Sequence, residues 1–173
     1  MNSSRLLRYV AVLWLVVSGL LLLSMRSQGA SPPSLPGNSA GAEGAIPRDP
    51  QIPSKQLISA EQLNHILKSE KPLLLQVGSH TMYVQGHIPG SEYIGAASGP
   101  EGLQALRDRV KSVSKDKLIV LYCGCCPWTH CPNIHPAYKQ LRDLGYTNLR
   151  VLYIANDFGK DWVAKGCPTA KGE

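Results

Sequence analysis

Cys123, Cys125, Cys126 and Cys131 fall within nine residues, in the run LIVLYCGCCPWTHCPN, and make up four of the five cysteines of this 173-residue chain. The reactive form of cysteine is the thiolate. A loop leading from a strand into a helix favours it, because backbone N–H groups and a helix N-terminus both attract negative charge and lower a thiol pKa. Cys123, directly after an apolar run, is therefore the candidate nucleophile. Gly124, Cys125, Cys126, Trp128, His130 and Cys131 form the candidate active loop around it.

The elements that must position these residues can be read from period. Leu118 to Tyr122 make the short continuous apolar run of a buried parallel strand, and Ala137, Tyr138, Leu141 and Leu144 recur at helical spacing before Gly145 stops the helix. Upstream, Ser59 with Gln62 reads as a capping box for a helix carrying Leu63, Ile66 and Leu67. A strand follows over 73–77, then the turn-rich GHIPGS, a short strand around Tyr93 and Ile94, and a helix with Leu103, Leu106 and Val110. Downstream come a strand over 149–154 and a short helix around Trp162 and Val163. Alternating strands and helices predict an α/β fold with a mostly parallel central sheet, helices on both faces and ligands at the carboxyl ends of the strands. Cys123 lies at such an end.

Residues 54–173 are enough for a single domain with one core. Residues 1–26 read as an N-terminal signal or membrane anchor: Arg5 and Arg8 precede an apolar stretch from Tyr9 to Leu23. Cleavage and retention both stay open, with the anchor favoured because Arg26 lies inside the region a peptidase would read. The basic flank orients the amino end to the cytoplasm and sends the domain to the periplasm or extracellular space. Residues 27–53, rich in Pro, Gly and Ser, read as a flexible tether. The whole chain has a formal net charge of +6 and the domain alone 14 Lys and Arg against 10 Asp and Glu. That balance is too weak and scattered for nucleic acid, and no basic run interleaved with aromatics occurs.

ISAEQLNHIL, PLLLQV, GHIPGSEYI, LIVLYC, LRDLGYTNLRVL and DWVAKGCP, in this order and spacing, resemble a rhodanese domain. The resemblance covers residues 56 to 168. It implies a sulfurtransferase that needs no cofactor, carries sulfane sulfur as a covalent persulfide on the cysteine after the central strand, here Cys123, and works between a small sulfur donor and a thiol acceptor. The chain departs from the family pattern at Gln76 and Gly78, where Asp and Arg are usual. It departs again in a loop about five residues longer than the family's, and in having no arginine between Arg109 and Arg142. Without a guanidinium to clamp a dianion, thiosulfate is an unfavourable donor, and His130, His135 and loop amides must substitute.

For Cys125, Cys126 and Cys131 three roles are open. One is a disulfide staple, Cys131 with Cys125 or Cys126. The second is resolution of the Cys123 persulfide by a neighbouring thiol, and the third a zinc or copper site with His130. Beside the sulfurtransferase stand two further readings, a non-enzymatic metal- or partner-binding thiol module and a thiol-disulfide oxidoreductase. Trp128 is expected to cover the loop or wall the pocket, His87 to be a structural turn residue, His65 to lie on the surface, and Cys167 to be remote from the cluster.

Overall fold

The computed structural model describes residues 46–173, which belong to a compact unit beginning at Gly44. Five strands, β1 (Leu57–Ile58), β2 (Leu73–Gln76), β3 (Glu92–Tyr93), β4 (Ile119–Tyr122) and β5 (Leu149–Leu152), form one sheet in the order β1-β5-β4-β2-β3. Every pairing is parallel. The α-helices are α1 (Ala60–Ser69), α2 (His80–Gln85), α3 (Pro100–Val110) and α4 (Ile134–Asp143).

β4 is central and buried along its whole length because it is apolar on both faces. Ile119 and Leu121 point, with Leu75 and Val151, into the layer formed by Leu106 and Val110 of α3 and Ala137 and Leu141 of α4. Val120 and Tyr122 point the other way, with Leu74 and Leu152, toward Leu63 of α1 and Trp162. Each aliphatic side chain so buried stabilises the fold by about 1.5–3 kcal/mol. The strand alternation carries one residue further and turns Cys123 to the α3 and α4 face. β2 pairs with β4 in the register Gln76↔Tyr122, so Val77 and Gly78 run beside Cys123.

The capping box forms as read: Ser59 Oγ accepts the Gln62 N–H at 3.2 Å and Gln62 Oε1 accepts the Ser59 N–H at 2.8 Å. GHIPGS folds into a buried network behind β4. Tyr122 Oη meets Ser91 Oγ at 2.6 Å and accepts the Ile88 N–H at 3.2 Å, while burial pushes the Tyr122 phenol up to about 12. His87 stacks on Tyr83 with ring centroids 4.0 Å apart, and its Nδ1 lies 2.9 Å from the Tyr83 carbonyl oxygen, a structural position.

Several boundaries differ from the expectation. β2 and β5 stop at Gln76 and Leu152, Leu144 is exposed just past the end of α4, and the last helix is one π-helical turn, Gly159–Val163. β1 and α2 were not expected at all. The tether ends before residue 53: the Ile52 side chain is fully buried in the core, and the Asp49 side chain is 4% exposed. The apolar stretch from Tyr9 to Leu23 lies outside the described residues. Among the described residues no helix is long and apolar enough to cross a membrane.

Candidate functional site

The loop leaving β4 is fixed from four sides. Gln76 bridges strand and loop: its Nε2 donates to the Cys123 carbonyl oxygen at 3.3 Å, and its Oε1 accepts the Gly78 N–H at 3.1 Å. A Cβ on Gly78 would stand 2.9 Å from both Cys123 Sγ and Gln76 Nε2, so the residue is glycine for lack of room. Gly124 has φ +76°, the left-handed conformation that glycine adopts without strain, and its carbonyl oxygen accepts the Phe158 N–H at 3.1 Å. Trp128, in the 3-10 turn Trp128–His130, donates its backbone N–H to Ala155 at 3.1 Å and its indole N–H to Asp49 Oδ2 at 3.1 Å.

Inside this frame three thiols meet. Cys123 Sγ lies 3.1 Å from Cys125 Sγ, which lies 3.3 Å from Cys126 Sγ, and the Cys126 thiol donates to the His130 carbonyl oxygen at 3.6 Å. Cys123 is 4% exposed while Cys125, Cys126 and Cys131 are half-buried, so solvent reaches the loop thiols from their side. Asn133 is also buried. Its Oδ1 accepts the Ser98 N–H at 2.9 Å, which turns its Nδ2 onto Cys123 Sγ at 3.4 Å and Cys125 Sγ at 3.8 Å.

Negative charge among the loop thiols is favoured on Cys131. It accepts the S–H of Cys123 and the backbone N–H groups of Asn133 and Ile134 at the start of α4, and these outweigh burial to bring the thiol down to about 6. Cys123, donating to Cys131 and desolvated, is correspondingly raised. Burial first, then its bond to Cys125, pushes Cys126 up to about 12. The enlarged loop explains the reversal, because it delivers the helix N-terminus to its last cysteine and leaves the first beside it.

The other expected site residues lie apart from the sulfurs. His130 is exposed and its Nδ1 meets Thr129 Oγ1 at 3.0 Å, while His135 Nε2 lies 2.9 Å from Asp49 Oδ2. Neither histidine ring bonds to the sulfurs; the Asn133 amide does. Trp128 packs on Tyr153 and His135 and seals the loop's flank. His65 is exposed, and Cys167 is buried against the opposite face of the sheet. Among the described residues no group of three or more His, Cys, Asp or Glu is arranged to hold a metal ion, His130 with the loop cysteines included. A cleft of about 440 Å³ beside α4 is lined by Gln51, Pro53, His135, Tyr138, Lys139 and Arg142, not by the thiols.

Asn133, Gln76 and Asp49 are the site residues that sequence reasoning missed or undervalued. Gln76 registered only as a departure from a pattern. Asn133 carried one legible signal, an amide side chain at a helix N-terminus. Asp49 carried none.

The sequence matches the rhodanese-like domain family over residues 59–155, more than half of the chain. The chain belongs to the rhodanese-like family. A crystal structure of the Alr3790 protein from Anabaena sp. is 24% identical and covers 66% of this chain and 92% of its own, with a TM-score of 0.51. The human single-domain sulfurtransferase TSTD1 is 21% identical and covers 64% of this chain and 96% of its own, with a TM-score of 0.48. No curated protein sequence matches. In this chain Cys123 directly follows β4, at the carboxyl end of the five-stranded parallel sheet.

Proposed function

We propose that this rhodanese-like protein is a sulfurtransferase that carries sulfane sulfur as a persulfide on Cys123, outside the cytoplasm, at the end of an N-terminal membrane-targeting segment. The observation that carries the chemistry is the placement of Cys123 Sγ at the carboxyl end of β4, 3.1 Å from Cys125 Sγ and under the Asn133 amide at 3.4 Å. Cys131, the thiol brought down in this loop, takes the Cys123 proton as Cys123 attacks the outer sulfur of a donor. The Asn133 N–H then remains at the anionic product. Family chemistry of this kind needs no metal.

The donors at these sulfurs are amides rather than a guanidinium, which supports a donor of low charge. A persulfide or polysulfide offers an electrophilic sulfur without an anion clamp, whereas thiosulfate needs one. The test is full-length protein incubated with glutathione persulfide or thiosulfate, followed by intact mass and peptide mapping. The persulfide is expected to add about 32 Da to the Cys123 peptide, with thiosulfate at least about tenfold slower, and Cys123→Ser to abolish the adduct. Turnover retained in Cys123→Ser would move the carrier role to another thiol, and equal rates with the two donors would refute the donor argument.

A further inference from the structure

Cys123 is 4% exposed and packs against Gly78, so its sulfur is open to small molecules but out of reach of a thiol carried on a macromolecule. A protein thiol has to be met further out, and Cys125 supplies that position. Its sulfur lies 3.1 Å from Cys123 Sγ, and its side chain is half-buried where Cys123 is closed. One amide serves both thiols: Asn133 Nδ2 stands 3.4 Å from Cys123 Sγ and 3.8 Å from Cys125 Sγ, so a persulfide on either keeps an N–H that stabilises its charge. Cys126 differs on this count. It lies 3.3 Å from Cys125 Sγ and gives its own S–H to the His130 carbonyl oxygen at 3.6 Å, and among the described residues no side-chain amide bonds it.

We infer that Cys125 is a second sulfur-carrying thiol, which takes the outer sulfur from Cys123 and presents it to a thiol on a protein. This rests on the Cys123 persulfide proposed above. In the transfer Cys125 Sγ attacks the outer sulfur, which carries the persulfide proton. A bond from Cys125 Sγ to that sulfur forms and its bond to Cys123 Sγ breaks; Cys123 leaves with the electron pair and takes up the Cys125 proton. The sulfane sulfur keeps its oxidation level, so neither an oxidant nor a reductant takes part. The acceptor thiol then attacks the same sulfur on Cys125, becomes the persulfide, and gives its proton to the Cys125 sulfur. The passed sulfur has to stand between the two Sγ atoms, which at about 2 Å for each S–S bond asks for a separation of about 4 Å. Cys125 therefore opens by about 1 Å from its 3.1 Å contact, a small rotation of a half-buried side chain. Attack on Cys123 Sγ itself would instead close a disulfide between residues two apart, a small ring that works against the torsion a disulfide prefers.

The experiment loads reduced full-length protein with one equivalent of glutathione persulfide, removes the small molecules and divides the sample. One portion is alkylated at once with iodoacetamide and read by fragmentation mass spectrometry. In wild type the adduct of about 32 Da is expected on Cys123 in some chains and on Cys125 in others. The remainder is discharged with cyanide, small enough to reach Cys123, with free cysteine, or with a thiol-terminated polyethylene glycol as the bulky acceptor. In Cys125→Ser the rate with the polymer thiol relative to that with cyanide should fall at least about tenfold. An unchanged ratio would overturn the inference and leave the carrier role of Cys123 standing. So would sulfane sulfur trapped on Cys123 alone in wild type, or sulfide released with a mass loss of about 2 Da and a bridge from Cys123 to Cys125. Free cysteine slowed as much as the polymer thiol would overturn the assignment to a protein acceptor. No adduct on either cysteine of wild type would overturn the carrier role and the inference together. The trapping in wild type does not depend on the folding of any variant.

Discussion

At Asn133 a single buried amide does two things that pull in one direction. The Ser98 N–H holds its oxygen, and that leaves its nitrogen no orientation but toward Cys123 and Cys125. Asn133→Ala should therefore slow persulfide loading by roughly 10- to 100-fold, corresponding to the 1.5–3 kcal/mol of a hydrogen bond to a charged group, with stopped-flow loading by glutathione persulfide as the readout. An unchanged rate in a folded variant would remove Asn133 from the site. Cys131 makes a second prediction. Its thiol is brought down to about 6 by the Cys123 S–H and the α4 amides, so the thiolate is the major form at neutral pH and is lost as pH falls through that value. Alkylation of Cys131 by iodoacetamide should rise with pH through about 6 and level off near neutrality, and Cys123 should label far more slowly. The identity of the thiolate was not legible in the sequence. All four cysteines were visible, but the choice between Cys123 and Cys131 depends on where a helix begins after an enlarged loop, and helix starts are set by tertiary contacts that spacing does not encode.

The elements fall into those with enough residues to show a period and those without. β2, β4 and β5 were legible as apolar runs, and α1 through its capping box and stripe. β1 is two residues wedged before the Ser59 cap and α2 is the six residues HTMYVQ, too short or too mixed to carry one. The docked end of the tether was hidden for another reason: its partners, Trp128 and His135, are distant in sequence. Asp49 gathers both of them with one oxygen and the N–H groups of Gln51 and Ile52 with the other. Burial works to raise the Asp49 carboxyl, but the His135 bond, the two backbone bonds and the imidazole charge outweigh it and hold the group below its ordinary value. A depressed folded pKa contributes stability that is complete above the unfolded value, near 3.8, and fades as pH falls through the folded one. Asp49→Ala should cost about 1–3 kcal/mol at neutral pH, read by urea denaturation of the full chain, and the difference from wild type should shrink only below about pH 4. A constant difference down to about pH 2 would mean that packing of Ile52, not the carboxylate, holds this segment.

For the whole molecule, the question is which compartment the loop thiols face, because a disulfide among them would be reopened by the thiol pool of a reducing cytosol and would persist outside the cytoplasm. The charge pattern supports the second. Arg5 and Arg8 stand before the apolar stretch from Tyr9 to Leu23 and only Arg26 directly after it, the asymmetry on which the proposed export rests. Under that proposal the Pro, Gly and Ser composition between that stretch and Asp49 would leave the domain attached yet free to meet soluble partners. Expressed in full in a bacterial host, the protein should sediment with membranes, and protease added to spheroplasts should reach the rhodanese-like domain while sparing a cytoplasmic marker. Removing residues 1–26 should leave the domain in the cytosol and protected from that protease. A full-length chain that is soluble and protected in intact spheroplasts would refute export.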